Sequence, residues 1–220
     1  MAKTAIIIGA TGLTGGLLLQ GLLEDNRYQK IKLISRNVCH IKHPKIEEHL
    51  VDFFDLEKQQ HLFIADEVFC CIGTTKAKTP NKEQYLKIDY EIPVTLARLC
   101  RKMGIPTFLV ISSLGANKSS KIFYNRTKGR MEEEVLRNKI KNTYILQPSL
   151  IGGSRNEKRS GEKIAKLFMS ILNPFLIGSL KKYRSIHPKT IVNVMIWLAN
   201  NEYKPGRIPS NKIQQIADCL

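Results

Sequence analysis

Hydrophobic and polar positions along the chain form two kinds of segment, short apolar runs and longer amphipathic stretches. The short runs are almost continuously apolar, which is typical of strands buried on both faces of a parallel sheet. These predicted strands are Thr4–Gly9, Lys30–Ser35, Ile46–Val51, Glu67–Ile72, Thr107–Ser112 and Thr143–Gln147. The stretches between them predict helices at Leu13–Glu24, Leu56–Ile64, Lys82–Met103 with a kink at Pro93, and Phe123–Lys139.

This alternation predicts an α/β fold, a Rossmann-like, doubly wound parallel sheet in a three-layer α/β/α arrangement. Because no repeat or flexible linker divides the chain, residues 1–220 are interpreted as a single domain. The alternation ends after Pro148 and resumes with a predicted helix at Thr190–Asn200. Ligands of such sheets bind beyond the carboxyl ends of the strands, so residues 149–187 are interpreted as a small cap over a substrate.

Composition places the chain among ordinary globular proteins. Its 220 residues are 43% hydrophobic and 25% charged, which excludes disordered and fibrous classes. The five cysteines are scattered and form no Cys-x-x-Cys, which argues against a disulfide framework or zinc site and for a reducing, cytoplasmic location. His40 and His43 have no evident third ligand, so no metal is expected.

Two uncharged segments superficially resemble membrane or signal sequences. Ala5–Leu23 contains five glycines and several polar residues and lacks an Ala-x-Ala cleavage pattern. Leu167–Leu180 has 14 residues and is interrupted at Pro174, so it is too short for a bilayer of about 30 Å. We therefore expect a soluble chain without stable membrane insertion.

The net charge of +16 is unevenly distributed. Residues 1–100 carry 13 Lys and Arg against 12 Asp and Glu, whereas residues 101–220 carry 22 against 7. The cluster 155–184 fits three interpretations: a solvated face, a mouth that attracts an anionic substrate, or an amphipathic surface on acidic lipid. No nucleic acid partner is expected, because the basic residues do not alternate with aromatic ones.

A glycine-rich turn, Gly9-x-x-Gly12-x-x-Gly15, joins the first predicted strand to the first helix. Glycine permits a tight turn and a close approach of the backbone to a diphosphate, while the helix N-terminus offers free amides. The turn therefore predicts a dinucleotide site. The alternative is a set of glycines that only pack the helix on the strand.

The end of the second strand bears on the choice of dinucleotide. The acid that commonly binds the ribose is absent there, and Arg36 stands nearby. Because an arginine can pair with a 2′-phosphate, the sequence favours NADP(H) over NAD(H). The alternative is a solvated arginine. Asp52 and Phe53 follow the third strand, where they could hydrogen-bond and flank an adenine.

Tyr124 and Lys128 lie four residues apart on a predicted helix, and hence on one face. A nearby ammonium favours the phenolate, so the pair can exchange a proton with a carbonyl or alcohol oxygen. Ser112 and Ser113 end the preceding strand, and one of them could polarise the same oxygen. Ser113 is our choice. The alternative is a core tyrosine beside a solvated lysine.

Five ordered motifs together resemble the short-chain dehydrogenase/reductase superfamily. They are Gly9–Gly15, Cys71–Thr75, Ser112–Ala116, Tyr124–Gly129 and Gln147–Gly152, and they span most of the chain. More narrowly, they resemble its atypical branch, close to the Tat-interacting oxidoreductase-like proteins and their bacterial relatives. The resemblance implies a Rossmann fold that binds NADP(H).

The same resemblance assigns roles to individual positions. Thr11, Gly12, Leu13 and Thr14 would hold the diphosphate, Arg36 the 2′-phosphate, Ile72 and Gly73 would line the cofactor, Tyr124 and Lys128 would reach ribose and substrate, Ile151 would back the nicotinamide, and Arg159 would contact the cofactor. Two positions depart from the pattern. Asn37 stands where relatives can carry a second arginine, and Asp89 stands where many of these enzymes have an asparagine in a proton relay.

The function expected from these observations is an NADP(H)-dependent oxidoreductase. It would act on a carbonyl or hydroxyl group of a small molecule, for which the basic cluster allows an anion, with Ser113, Tyr124 and Lys128 as the catalytic residues. The alternative is a Rossmann-fold regulatory module that holds NADPH and engages a protein partner without turnover. The habit of the superfamily also suggests a homodimer.

Overall fold

A computed structural model describes residues 2–75, 77–152 and 183–220. The strands are β1 Lys3–Ile8, β2 Tyr28–Ser35, β3 Ile46–Leu50, β4 Glu67–Cys70, β5 Thr107–Ile111, β6 Asn142–Gln147 and β7 Gly206–Pro209. The described residues form one seven-stranded sheet in the order β3-β2-β1-β4-β5-β6-β7. Every neighbouring pair of strands is parallel. The predicted doubly wound parallel sheet is confirmed.

The described helices connect these strands. They are α1 Leu13–Glu24, a 3₁₀ segment Phe53–Leu62, α2 Lys82–Leu86, a π-helical turn Lys87–Glu91, α3 Ile92–Lys102, α4 Phe123–Arg137, α5 Pro188–Asn200 and α6 Ser210–Ala217. Among the residues described, none of these helices combines the length and apolar character needed to span a bilayer.

Side chains of successive strand residues enter two separate hydrophobic cores. On one face, Ile7 and Leu33 belong to the core that includes α1 and α5. On the other face, Ile6 and Val68 belong to the core that includes the 3₁₀ segment, α3 and α4. Because both faces of the sheet are covered, the central strands are apolar at most positions. Strand β3, at the edge of the sheet, departs from this expectation, because it has no buried residue and carries Glu47, Glu48 and His49.

Two helical expectations need correction. The stretch predicted as an α-helix at Leu56–Ile64 is a 3₁₀ segment that begins earlier, at Phe53. The kink expected at Pro93 is replaced by the π-helical turn before it, and Pro93 occupies the first turn of α3. Pro93 has no amide hydrogen to donate to the preceding turn, so the π-helical turn stands at a break in the helical hydrogen-bond ladder.

The sequence pattern missed β7 and α6 altogether. β7 is four residues long and both begins with Gly206 and ends with Pro209, two residue types that are depleted in strands. It lies at the edge of the sheet, where a proline interrupts no further ladder. Most of the predicted cap, including Arg159, the segment Leu167–Leu180 and nearly all of the basic cluster 155–184, lies outside the described residues.

Candidate functional site

The strand order reverses between β1 and β4, and a cavity of about 550 Å³ opens beyond their carboxyl ends. Open α/β sheets bind ligands at this point, because the connections on the two sides diverge there. The predicted residues Thr11, Gly12, Leu13, Thr14, Ile72, Gly73, Tyr124, Lys128 and Ile151 line this cavity, together with Thr74, Lys78 and Asp89. Segments that are far apart in sequence thus meet at one site.

The glycine-rich turn shapes one wall of the cavity. Gly9 has a φ of +92°, a conformation that favours glycine. A Cβ on Gly15 would lie 2.1 Å from the carbonyl oxygen of Gly9, so α1 packs directly on the end of β1. No described side chain caps α1 at Gly12, and its first turn holds no acidic residue. Its first amides and positive dipole end therefore suit a diphosphate.

Arg36, Asp52 and Phe53 lie outside the described lining of this cavity. The Arg36 guanidinium lies over the Phe53 ring, 5.7 Å from its centre. The Asp52 carboxylate accepts a hydrogen bond of 3.0 Å from the Phe54 amide and caps the 3₁₀ segment. The structure thus brings Arg36 and Phe53 together, and it gives Asp52 a capping bond.

Lys128 forms a buried ion pair with Asp89. Its Nζ lies 2.7 Å from Asp89 Oδ1, and both side chains are at most 4% exposed. Asp89 Oδ2 also accepts a hydrogen bond of 2.8 Å from the Thr74 amide. Burial is the largest single influence and would lower the pKa of Lys128, but the charge of Asp89, the charge of Tyr124 and the hydrogen bond to Asp89 together outweigh it and leave that pKa raised. Lys128 is therefore a fixed ammonium at neutral pH.

Tyr124 lies between two cavities. It lines the cavity beside the glycine-rich turn and also a second cavity of about 550 Å³. The second cavity is further lined by Ser113, Leu114, Gly115, Asn125, Pro148, Ser149, Leu150 and Tyr183. The Tyr124 ring packs edge-on against Tyr85, with ring centres 6.4 Å apart. A ligand in the second cavity would therefore share Tyr124 with a ligand in the first.

The two serines that follow β5 have different environments. Ser112 Oγ donates a hydrogen bond of 2.5 Å to the buried carboxylate of Glu132. Ser113 Oγ is buried without a partner among the described residues, and Ser113 lines the second cavity beside Tyr124. The hydroxyl of Ser113 thus lacks a partner among the described residues, whereas that of Ser112 already has an acceptor.

Residues 9–158 match the family described as NAD(P)H-binding. The chain belongs to the NAD(P)H-binding family. Membership agrees with the diphosphate cradle at the end of β1, and it makes the alternative of glycines that only pack a helix unnecessary. The resemblance to the short-chain dehydrogenase/reductase superfamily is confirmed.

Within the NAD(P)H-binding family, the chain is similar to proteins named HTATIP2 and FMP52. The chain is 31% identical over 209 residues to protein HTATIP2 of Rattus norvegicus, covering 93% of this chain and 83% of the relative. It is 30% identical over 216 residues to protein fmp52, mitochondrial, of Aspergillus niger, covering 94% and 92% of the two chains. Several other fungal relatives carry the same mitochondrial name. They contradict the expectation of a purely cytoplasmic protein, because scattered cysteines indicate a reducing compartment without saying which one.

Solved structures show the same fold at low sequence identity. ADP-L-glycero-D-manno-heptose-6-epimerase of Helicobacter pylori superposes with a TM-score of 0.71 at 17% identity, over 99% of this chain and 82% of that one. MoeE5, in complex with UDP-glucose and NAD, superposes with a TM-score of 0.67 at 15% identity, over 99% and 81%. These likenesses establish the fold of this NAD(P)H-binding chain.

Glu132 is the buried residue of the site that the sequence did not reveal. Its carboxylate accepts hydrogen bonds from Ser112 Oγ, from Gln147 Nε2 at 2.9 Å and from Arg207 Nε at 2.6 Å. The missed signal was its spacing, because Tyr124, Lys128 and Glu132 follow each other at four-residue intervals on α4. Three neighbouring strands are thereby tied to the helix of this NAD(P)H-binding domain that carries Tyr124.

Proposed function

We propose that the protein is an oxidoreductase that uses NADP(H) in preference to NAD(H) and acts on a carbonyl or hydroxyl group of a small molecule. The observation that carries this proposal is the position of Tyr124. Its side chain lines both the cavity beside the glycine-rich turn and the second cavity. One phenol would therefore reach both a dinucleotide in the first cavity and a substrate in the second.

The lining of the first cavity supports the proposed cofactor-binding roles. Residues 11–14 would hold the diphosphate at the N-terminus of α1, where free amides meet no acidic side chain in the first turn. Ile72, Gly73 and Ile151 would pack along the cofactor. When bound, the nicotinamide supplies or accepts a hydride. Arg36, steadied over Phe53, supports the preference for a 2′-phosphate.

The catalytic roles would divide among three side chains. Tyr124 Oη would give a proton to a substrate carbonyl oxygen or take one from a hydroxyl. Ser113 Oγ, which has no described partner, would donate a hydrogen bond to the same oxygen. Lys128 would keep a positive charge near the phenol, and Asp89 would hold its ammonium in place at 2.7 Å.

One observation favours the alternative of a regulatory module without turnover. The charge of Lys128 is neutralised by Asp89, so less of it is available to stabilise a phenolate at Tyr124. Such a protein would bind NADPH and leave carbonyl compounds unchanged.

A panel of carbonyl compounds, followed by the absorbance of NADPH, tests the proposal. Turnover is expected with the wild-type chain, and Tyr124→Phe should reduce kcat by more than about a hundredfold while its NADPH affinity stays within about twofold, because only the proton-transfer group is lost. Phe123→Leu, a change next to the phenol, serves as the control.

Two outcomes contradict the proposed roles. Full activity of Tyr124→Phe would exclude Tyr124 as the proton donor. NADPH binding without turnover of any compound would favour the regulatory module.

A further inference from the structure

We propose that the substrate of this site is a neutral, mainly apolar carbonyl compound or the corresponding alcohol, an inference that rests on the proposed oxidoreductase function. The second cavity, beside Tyr124, carries the argument. Its volume of about 550 Å³ lies in the range of small-molecule sites, roughly 300–1,000 Å³. A compound that shares Tyr124 with the cofactor must fit there.

The walls of the second cavity are mostly apolar. Leu114, Pro148 and Leu150 contribute hydrocarbon, and Tyr124 and Tyr183 contribute aromatic rings. Within the described parts of the chain, no Lys, Arg, Asp or Glu lines this cavity. An apolar body gains free energy on leaving water for such walls, whereas a carboxylate or phosphate would lose its hydration without a counter-charge.

The two buried charged residues of α4 are already paired. Lys128 is bound to Asp89, and Glu132 accepts from Arg207. The Arg184 side chain, from the basic cluster 155–184, lines a different cavity beside α6. Among the described residues, a substrate anion in the second cavity would therefore meet no cationic side chain in its lining.

The second cavity contains one buried polar group that lacks a described partner. Ser113 Oγ is inaccessible to water and forms no hydrogen bond within the described residues. Buried hydroxyls are almost always paired, and a hydroxyl can donate to a carbonyl oxygen or accept from an alcohol. A single oxygen on an apolar body would accept a hydrogen bond from Tyr124 Oη, and from Ser113 Oγ once that hydroxyl rotates toward the cavity. This points to one carbonyl or alcohol group and few other polar atoms.

The charge of the cluster 155–184 predicts the opposite substrate, an anion attracted to a basic mouth. Long-range attraction concentrates a ligand near a site, but the contacts in the cavity decide its binding. The two expectations can therefore be separated with a matched pair of compounds that differ by one charge.

The test uses the full chain with NADPH and two aldehydes, benzaldehyde and 4-carboxybenzaldehyde. We expect kcat/KM to be at least about tenfold higher for benzaldehyde, because only the second compound brings a charge into an apolar cavity. Leu150→Lys places an ammonium at the half-exposed rim and should reduce this preference at least about fivefold. Ile64 is exposed and lies just before β4, at the end of the strands opposite to the cavity. Ile64→Lys should therefore leave the preference unchanged.

A second measurement needs no turnover. Saturation-transfer NMR on the chain alone should show binding of benzyl alcohol and a weaker signal from 4-carboxybenzyl alcohol. An equal or stronger response to the charged compound in both experiments would overturn the substrate class and leave the oxidoreductase intact. Binding of benzyl alcohol and of NADPH without turnover of any aldehyde would instead overturn the proposed function.

Discussion

The ion pair between Lys128 and Asp89 distinguishes this site from an isolated tyrosine–lysine pair. An ammonium buried this deeply persists only if it is paired, and the carboxylate at 2.7 Å supplies the partner. The raised pKa of Lys128 means that its charge is fully present at neutral pH and is lost only above the usual lysine range. A pH profile of activity near neutrality would therefore not report on Lys128.

Arg36 is the residue on which cofactor preference depends. Arg36→Ala should weaken NADPH binding by about tenfold or more and change NADH binding less than about twofold, because only NADPH carries the 2′-phosphate. Lys102 is exposed at the end of α3, near the amino-terminal ends of the strands and away from the cofactor cavity. Lys102→Ala removes one positive charge there and serves as the control. Calorimetric titration of the wild type and both variants with each cofactor measures the six affinities. Equal losses for both cofactors would show that Arg36 does not read the phosphate.

Sequence spacing predicted several residues that line the cavity, but it did not predict which side chains pair with one another. The residues expected at the diphosphate, and Tyr124 with Lys128, do line one cavity. The pairing of Asp89 with Lys128 joins residues 39 positions apart, and no local pattern encodes such a contact. The choice between Ser112 and Ser113 likewise depended on Glu132, a residue on another element.

At the scale of elements, α4 is held in place by a buried carboxylate. Glu132 connects this helix to the end of β5 through Ser112, to β6 through Gln147 and to β7 through Arg207. The same helix carries Tyr124 about two turns before Glu132 and Lys128 about one turn before it. The position of the phenol therefore depends on a tie to three strands.

Removing that tie should destabilise the fold. Glu132→Ala leaves Ser112, Gln147 and Arg207 without their acceptor, and we expect the free energy of unfolding to fall by about 3 kcal/mol. Glu133→Ala removes only the pair with the exposed Lys118, which is worth about 1 kcal/mol or less. Urea denaturation of both variants makes the comparison. Similar losses in the two would contradict the structural role of Glu132.

The periodic pattern identified the long elements and failed on the short ones. Buried strands and α1 have many apolar residues in a row, and their bounds differ from the predicted ones by at most two residues. The four-residue β7 has one buried residue, Ile208, so it offers no periodicity. Its position is fixed by pairing with β6, which is a tertiary interaction.

At the scale of the whole molecule, a buried hydrogen-bond network joins the amino-terminal ends of three strands, β1, β2 and β4. Glu67 on β4 is paired with Lys3 on β1 and accepts a hydrogen bond of 2.5 Å from Tyr28 Oη on β2. Asn200, at the end of α5, donates to Tyr28 Oη at 2.7 Å. Helix α5 is thereby attached to β1, β2 and β4, although these elements are far apart in the sequence.

Burial raises the pKa of Glu67, and the bonds from Lys3 and Tyr28 offset this only in part. A raised pKa means that the folded state binds this proton more tightly than the unfolded state does. The contribution of Glu67 to stability is therefore fully present below the usual glutamate range and declines as pH rises through the folded-state pKa. Glu67→Gln should remove this dependence.

The check is the difference in unfolding free energy between wild type and Glu67→Gln, measured in urea at several pH values from about 5 to about 8. We expect the wild type to gain stability relative to the variant as pH falls. Asp25 and Glu47, whose pKa values are lowered, act in the opposite direction but cancel in the difference. A difference that does not change with pH would contradict the role of Glu67.

The account as a whole depends on a dinucleotide that sits at the N-terminus of α1, and a calorimetric titration with NADPH tests this most directly. We expect saturable binding to the wild-type chain. Thr11→Asp places a negative charge beside the diphosphate, so it should weaken NADPH binding more than about tenfold. Because a carboxylate at the N-terminus of a helix interacts favourably with the helix dipole, the variant should remain folded. Gln20→Asp, exposed further along α1, should bind as the wild type does. A folded wild-type chain that releases no heat with NADPH or NADH, or a Thr11→Asp variant that binds as tightly as wild type, would contradict the account.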